Sequence, residues 1–387
     1  MLKIQTLNKI SSAGLDLLPR DEYDVASELL NPDAILVRSA KMHDMKLATS
    51  LKAIARAGAG VNNIPVDACS QKGIVVFNTP GANANGVKEL AIAGMIISSR
   101  NIIDGAAWAK TLSGKGDEVP KLVEKGKSNF AGCEIMGKKL GVIGLGAIGV
   151  MVANTAIGLG MEVSGYDPFI SVEAAWGLSR SVKRASSLEM LLAESDYISL
   201  HCPLTDDTRG LLGKEKFSAM KKGVRILNFA RGGLVQNGAL KEALAQEIVL
   251  SYVTDFPDEE LLEMEKVVSI PHLGASTGEA ENNCAVMAVT QVKEYLLHGN
   301  ITNSVNFPNC SLAPARDKRI IVANENVPNM VGQITSVLAK EKLNIGEMLN
   351  KSRGPLAYNI IDVDGDVPDT IVEQLQKIQG AIMVRVL

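Results

Sequence analysis

The sequence has few cysteines and few aromatic residues, and it carries no strong excess of charge of either sign. Its 387 residues include five cysteines, 4% aromatic residues and a formal net charge of −3. Such a balance gives no basic field for nucleic acid or for an anionic membrane. Any anion site must therefore be built locally, from a few arginines and backbone amides. The N-terminal residues MLKIQTLNKI also lack the apolar core of a signal peptide.

The cysteines are dispersed along the chain, and none of them forms a CxxC pair or a cluster with histidine. They stand at positions 69, 133, 202, 284 and 310. An odd, dispersed set is typical of buried thiols in a reducing compartment, and not of a disulfide frame or a zinc site. We therefore expect a cytoplasmic protein that binds no metal and no nucleic acid and does not associate with a membrane.

One uncharged stretch, residues 140–161, is long enough to span a bilayer. It contains six glycines, spaced as in a strand, a tight turn and a helix. We therefore interpret it as buried core of an α/β domain.

Short β-branched runs alternate with helical patterns over the first 300 residues, which predicts parallel sheets covered on both faces. Two such series indicate two doubly wound parallel-sheet α/β domains, joined by one long helix from about residue 86 to residue 110. The last 70 residues follow the order βαββαβ, which predicts a small α+β, ferredoxin-like unit. The fold class predicted from the sequence is therefore α/β with a small α+β domain at the C-terminus.

The strongest local signal is the glycine motif GLGAIG at residues 144–149, which follows a predicted strand and opens a predicted helix. Gly144 permits a tight turn, Gly146 lets the backbone approach a pyrophosphate, and Gly149 lets the helix pack on the strand. The next predicted strand ends at Asp167, where a carboxylate would hold the ribose hydroxyls. Because no arginine follows Asp167, the motif favours NAD over NADP.

Later strands of the same series also end in polar or charged residues, namely His201, Arg231, Asp255 and His272. Ligands of open parallel sheets bind beyond the carboxyl ends of the strands. Arginine binds a carboxylate in a bidentate manner, and histidine exchanges a proton with a hydroxyl group. A nearby glutamate raises the pKa of the imidazole and fixes its tautomer. This combination predicts oxidation of a hydroxy acid.

The motifs resemble those of the D-isomer-specific 2-hydroxyacid dehydrogenases, with an ACT domain at the C-terminus. The resemblance rests on VRSAK, RAGAGVNNI, NTPGANANGVKELA, VIGLGAIG, HCPLTDDTRGLL, NFARGGLV and PHLGASTGEAE. It implies a split, flavodoxin-like substrate-binding domain over residues 1–93 and 275–310. An inserted Rossmann domain that binds NAD would cover residues 94–274, and the ACT domain would cover residues 318–387.

The same resemblance implies a role for particular residues. The catalytic residues would be Arg231, Glu260 and His272, with Glu259 as the alternative to Glu260. Substrate contacts would come from Arg38, Arg56, Gly60 and Asn83, and regulatory contacts from Asn324, Asn326 and Asn344. The cofactor-binding residues would be Gly144, Gly146, Ala147, Ile148, Gly149, Asp167, His201, Pro203, Thr208, Ala230, Asp255 and Gly274.

The resemblance implies NAD-dependent oxidation of D-3-phosphoglycerate to 3-phosphohydroxypyruvate, the first step of L-serine biosynthesis. Two arginines in the first domain suit a phosphorylated acid. Alternatives are another D-2-hydroxyacid dehydrogenase, such as a glyoxylate or hydroxypyruvate reductase, and a non-catalytic NAD(H)-sensing regulator. We expect a homodimer or homotetramer, in which the ACT domain either binds L-serine or serves assembly alone. Asn324 and Asn329 depart from the usual ACT pattern, and both roles therefore stay open.

Overall fold

A computed structural model describes residues 1–315 and 317–387. The chain forms two compact units. The first unit comprises Met1–Asn83 and Gly278–Leu387, and the second comprises Ala84–Thr277. The boundaries between the two units lie ten residues before and three residues after the predicted boundaries of the NAD-binding domain. The division into three domains stays a prediction.

The regular elements are numbered here in chain order. The strands are β1 (Leu2–Leu7), β2 (Tyr23–Ala26), β3 (Ala34–Val37), β4 (Ala53–Arg56), β5 (Val75–Phe77), β6 (Lys139–Ile143), β7 (Glu162–Tyr166), β8 (Lys183–Arg184), β9 (Tyr197–Leu200), β10 (Val224–Asn228), β11 (Val249–Thr254), β12 (Val267–Ser269), β13 (Lys318–Glu325), β14 (Ile345–Arg353), β15 (Leu356–Val363) and β16 (Ala381–Val386). The α-helices are α1 (Ser12–Leu15), α2 (Val66–Gln71), α3 (Ala84–Arg100), α4 (Ile102–Lys110), α5 (Val119–Gly126), α6 (Ala147–Gly158), α7 (Val172–Gly177), α8 (Leu188–Glu194), α9 (Lys214–Ser218), α10 (Asn237–Ala245), α11 (Glu259–Leu262), α12 (Gly278–His298), α13 (Met330–Lys340) and α14 (Asp369–Gln376).

The first unit contains a five-stranded parallel sheet in the order β2-β1-β3-β4-β5. Every residue of β3 and β5 is buried, as expected for strands covered on both faces. Helix α12 closes one face through Ala285, Ala288 and Val292, which join the hydrophobic core of this sheet. The chain thus returns to the first unit after the second unit is complete.

The second unit contains a seven-stranded parallel sheet in the order β12-β11-β10-β9-β6-β7-β8. The predicted single helix over residues 86–110 is wrong. Helix α3 ends at Arg100, and α4 begins at Ile102. Asn101, between them, has φ 45°, and this left-handed residue interrupts the helix.

The C-terminal part of the first unit has the predicted βαββαβ order and an antiparallel sheet, β14-β15-β13-β16. One face of the sheet packs on α13 and α14 through Val322, Ile334 and Ile371. The other face joins the core of the five-stranded sheet, where Ile321 and Tyr358 pack in the same cluster as residues of α12. The predicted fold class, two parallel α/β sheets and a small α+β unit, is confirmed.

The uncharged stretch of residues 140–161 forms β6 and α6, as interpreted from its glycines. In the part of the chain that the structure describes, no helix has both the length and the apolar character needed to cross a bilayer.

Candidate active site

The glycine motif forms the turn between β6 and α6. Gly144 has φ 89°, and a Cβ atom there would lie 2.7 Å from the amide nitrogen of Cys202. A Cβ atom on Gly149 would collide with the carbonyl oxygen of Gly144. A Cβ atom on Gly146 would meet no atom of the described chain within 4 Å. Gly144 therefore allows close approach of the segment after β9, and Gly149 lets the start of α6 pack on the glycine turn. Gly146 leaves open space at the N-terminus of α6.

This open space fits the pyrophosphate of a dinucleotide. Gly146 is the N-cap of α6, and the first amides of a helix have no acceptor within it. Gly146 and Ala147 are exposed, whereas Ile148 is half-buried. The helix dipole adds a partial positive charge at the same end.

Asp167 follows β7 and lies beside the glycine turn. Its Oδ2 accepts the amide N–H of Leu145 at 2.7 Å, and its Oδ1 accepts that of Phe169 at 2.8 Å. The side chain is half-buried. Because each carboxylate oxygen has a second lone pair, Asp167 keeps acceptor capacity for ribose hydroxyls.

Four further residues predicted to bind the cofactor lie after β9 and β10. His201 and Pro203 follow β9, and Ala230 follows β10. The Thr208 hydroxyl donates to the carbonyl oxygen of Pro203 at 2.6 Å and so closes the loop. His201 Nε2 lies 2.8 Å from Ser199 Oγ, and burial lowers the pKa of His201 to about 4. His201 is therefore a neutral imidazole at pH 7, and its buried Nδ1 has no protein partner in the described chain.

Arg231, Asp255 and His272 follow three strands that are neighbours in the sheet, β10, β11 and β12. These strands are parallel, so their carboxyl ends lie at one edge. The Arg231 side chain is exposed, and its Nη1 donates to the carbonyl oxygen of Ala230 at 2.7 Å. The order of the strands thus places these three residues at one edge of the sheet, as expected from their positions after the strands.

Asp255 is 1% exposed and holds the segment that carries His272. Its Oδ2 accepts the amide N–H of Gly274 at 3.0 Å, and its carbonyl oxygen accepts that of His272 at 3.0 Å. Burial raises the pKa of Asp255, and the Gly274 hydrogen bond and the positive field of His272 and Arg231 oppose that rise. Its buried Oδ1 has no protein partner within the described ranges. The site therefore contains an acceptor that is free for a ligand.

The His272 ring is exposed and packs against Phe256, with ring centroids 4.8 Å apart at an angle of 48°. Glu259 and Glu260 both lie in the first turn of α11 and are exposed. Over residues 1–315 and 317–387, no hydrogen bond or ion pair joins His272 to either glutamate. The structure therefore brings together the arginine, the aspartate and the histidine, but not a glutamate.

In the first unit, Arg38 forms an ion pair with Glu281 of α12, at 2.8 Å between Nη1 and Oε1. Both side chains are about two-fifths exposed. Arg56 donates through Nε to the carbonyl oxygen of Arg38 at 2.9 Å and through Nη1 to that of Gly60. Gly60 and Asn83 are half-buried loop residues. Arg56 thus braces the loops around Arg38, and sequence reasoning assigned no role to Glu281.

The three asparagines predicted to be regulatory all have partners in their own chain. Asn324 is 1% exposed, and its Oδ1 accepts from Asn359 at 2.7 Å. Asn326 donates to the carbonyl oxygen of Gly354 at 3.1 Å, and Asn344 donates to Asp364 at 2.6 Å. Asn324 therefore sits inside the sheet, whereas the other two are exposed.

Comparison with known proteins assigns the second unit to a class. The family model described as "D-isomer specific 2-hydroxyacid dehydrogenase, NAD binding domain" matches residues 92–274. Residues 92–274 are therefore similar to the NAD-binding domain of that family. The resemblance to 2-hydroxyacid dehydrogenases and the prediction of NAD as cofactor are thereby confirmed, whereas the ACT domain stays a prediction.

Particular relatives extend the similarity over most of the chain. The chain is 36% identical to D-3-phosphoglycerate dehydrogenase of Methanocaldococcus jannaschii, over 84% of this chain and 62% of that protein. It is 32% identical to D-3-phosphoglycerate dehydrogenase of Bacillus subtilis, over 88% of this chain and 65% of that protein. The crystal structure of 3-phosphoglycerate dehydrogenase from Entamoeba histolytica with bound NAD+ matches with a TM-score of 0.61 and 28% identity, over 79% of this chain and 98% of that one. The chain thus spans less than two thirds of the length of these two curated relatives.

Proposed function

We propose that the protein oxidises D-3-phosphoglycerate to 3-phosphohydroxypyruvate with NAD, as the first step of L-serine biosynthesis. The observation that carries the proposal is the convergence of Arg231, Asp255 and His272 at one edge of an NAD-binding sheet. The names of the similar proteins support the phosphorylated substrate. The dispersed cysteines favour the cytoplasm, and all five are free in the described chain.

The glycine turn and Asp167 would hold the dinucleotide. The amides at the start of α6 would bind the pyrophosphate, and Asp167 would accept the ribose hydroxyls. NAD supplies the hydride acceptor when it is bound. The unpartnered Oδ1 of Asp255 would accept an N–H group of the nicotinamide carboxamide, a role that its burial at the strand ends supports.

Arg231 and His272 would act on the hydroxy acid itself. The exposed Arg231 guanidinium would bind the carboxylate in a bidentate manner and so fix the carbon that bears the hydroxyl group. His272 would take up the hydroxyl proton as a general base. Contact with Phe256 limits rotation of the His272 ring and so favours one orientation for proton transfer.

We assign the glutamate partner of His272 to Glu260, with Glu259 as the alternative. Both begin α11, and no contact to His272 distinguishes them within the described residues. A carboxylate beside the imidazole would stabilise its protonated form. Glu260→Gln should therefore shift the rise of activity with pH to lower pH, and Glu259→Gln should not. The reverse result would transfer the role to Glu259.

Arg38 is the proposed contact to the substrate phosphate, and Arg56 would hold together the two loops on which Arg38 and Gly60 lie. Asn83 would complete the substrate contacts from the loop before α3. At the C-terminus, Asn326 and Asn344 keep exposed amides that suit an L-serine effector, whereas Asn324 is buried. We propose an ACT domain that takes part in homo-oligomer assembly, as a dimer or tetramer.

The decisive experiment is NADH formation from D-3-phosphoglycerate, compared with D-lactate and D-glycerate. We expect the highest kcat/KM for the phosphorylated acid. His272→Ala should lower kcat by about 100- to 10,000-fold while NADH still binds. A preference for glyoxylate or hydroxypyruvate in the reverse direction would instead identify a 2-oxoacid reductase. NADH binding without turnover of any of these acids would identify a dinucleotide sensor.

A further inference from the structure

Asn228, the last residue of β10, holds the turn on which Arg231 lies. Its side chain is 0% exposed, so every polar atom that it carries must find a partner in the protein. In the sequence it is the first residue of the motif NFARGGLV and reads as the polar end of a buried strand.

Both the oxygen and the nitrogen of the Asn228 side-chain amide form hydrogen bonds with the turn. Its Oδ1 accepts the backbone N–H of Ala230 at 3.2 Å and, more weakly, that of Arg231 at 3.4 Å. Its Nδ2 donates to the carbonyl oxygen of Arg231 at 2.9 Å and to the hydroxyl of Tyr252 at 2.9 Å. Three of these four bonds therefore fix the backbone of residues 230 and 231.

Only asparagine makes this set of bonds at this position. The amide donates and accepts at once, whereas an aspartate of the same shape would place a carboxylate oxygen against the carbonyl oxygen of Arg231. The backbone of Asn228 is anchored separately, since its carbonyl oxygen accepts from Thr254 Oγ1 at 3.0 Å. Loss of the side-chain amide would thus release the turn while the strand stays paired.

The Arg231 side chain has little else to fix it. Its Nη1 bonds to the carbonyl oxygen of the preceding residue, and no carboxylate lies within ion-pair distance in the described part of the chain. The turn therefore fixes the point from which the Arg231 side chain extends, and it also supplies the carbonyl group to which Nη1 donates.

We propose that Asn228 is the positioning residue for Arg231, and that its amide sets the alignment of the arginine with the substrate carboxylate. The proposal rests on the proposed function, in which Arg231 binds that carboxylate. It does not require that Asn228 touch the substrate.

The test is a double-mutant cycle between Asn228 and Arg231. Asn228→Asp should lower kcat/KM for D-3-phosphoglycerate by about 10- to 100-fold, the range for one weakened hydrogen bond to a charged group. Arg231→Ala should lower it further, and the double variant should be no worse than Arg231→Ala alone, because both changes act on one contact. Multiplied effects of the two changes would overturn the proposal.

A binding measurement separates alignment from general damage. Oxalate should bind the Asn228→Asp enzyme–NADH complex at least about 10-fold more weakly, whereas the Kd for NADH should change less than about twofold. Tyr252→Phe is the matched control, since it removes one bond to the Asn228 amide and leaves the three bonds to the turn intact. We expect wild-type oxalate binding in this control.

Asn228→Ser serves if the aspartate variant does not fold, since it removes the amide without adding a buried charge. Wild-type oxalate binding in a folded Asn228 variant would overturn the inference alone. Wild-type turnover in Arg231→Ala would instead overturn the proposed role of Arg231, and with it the proposed function.

Discussion

Replacement of Arg319 should destabilise the first unit far more than loss of an ordinary ion pair would. Arg319 lies in β13 and is 1% exposed. Its Nε and Nη2 donate to the two carboxylate oxygens of Asp362, at 2.6 and 2.8 Å. It also donates to the carbonyl oxygen of His298 at 2.9 Å and to that of Ala313. One guanidinium therefore links the C-terminal sheet to the end of α12 and to the segment after it.

The size of the effect follows from what the substitution leaves behind. Arg319→Met leaves the Asp362 carboxylate, 18% exposed in its side chain, without its counter-charge. Removal of one partner of a buried pair costs about 3–5 kcal/mol in the free energy of unfolding. The double variant Arg319→Met, Asp362→Leu should recover part of that loss, because an apolar pair replaces the charged one. Recovery should be incomplete, because the carbonyl groups of His298 and Ala313 lose the donor that Arg319 supplied, at a cost of about 1–3 kcal/mol each.

Urea unfolding measures these differences when it is followed by two signals. Far-UV circular dichroism reports on both units, whereas Trp108 and Trp176, the only tryptophans, report on the second unit. Lys183→Met is the control, since it breaks an exposed ion pair with Glu162 and should cost less than about 1 kcal/mol. A loss of less than about 1 kcal/mol in Arg319→Met would refute the reasoning, because the bridge would then behave as an exposed one.

Three further predictions concern the sites. Asp167→Ser should lower the preference for NADH over NADPH by at least about 10-fold in kcat/KM, because a carboxylate repels a 2′-phosphate; an unchanged ratio would exclude Asp167 as the discriminator. Glu281→Gln should lower KM for D-3-phosphoglycerate and not for D-lactate, because it frees Arg38 from its ion pair; equal changes would show that Arg38 does not read the phosphate. The free energy of unfolding should fall as the pH drops from about 6.5 towards 4, because His201 is protonated in the unfolded chain over this range but stays neutral in the folded chain down to about pH 4. His201→Gln should flatten this dependence in urea titrations at several pH values, and an unchanged slope would assign it to other groups.

The two parallel sheets, and the residues that lie at the carboxyl ends of their strands, could be predicted from the sequence. Strand periodicity and glycine spacing are local properties, and parallel strands place their ends at one edge whatever the loops do. Arg231, Asp255 and His272 were therefore predictable as a group. The broken helix at Asn101 was not, because an asparagine in the left-handed conformation leaves the apolar pattern on either side unchanged.

Contacts between residues that are distant in the sequence could not be predicted either. Asn324 matches a ligand position by analogy, yet its amide pairs with Asn359 in the neighbouring strand. Glu281 reads as one acid in a polar helix start, and its pairing with Arg38 depends on the return of α12 to the first unit. Such pairs depend on tertiary packing, which local patterns do not encode.

Helix α12 connects the C-terminal sheet to the proposed phosphate contact. The carbonyl oxygens of Leu296, His298 and Gly299, at the end of the helix, accept hydrogen bonds from Arg385, Arg319 and Tyr358 of that sheet. About 25 Å away at the helical rise, the first turn carries Glu281, the partner of Arg38. A ligand of the C-terminal sheet could therefore act on Arg38 through displacement of one rigid helix. It would do so only if it bound more tightly to one position of that helix than to another, and substrate would then alter its affinity by the same factor.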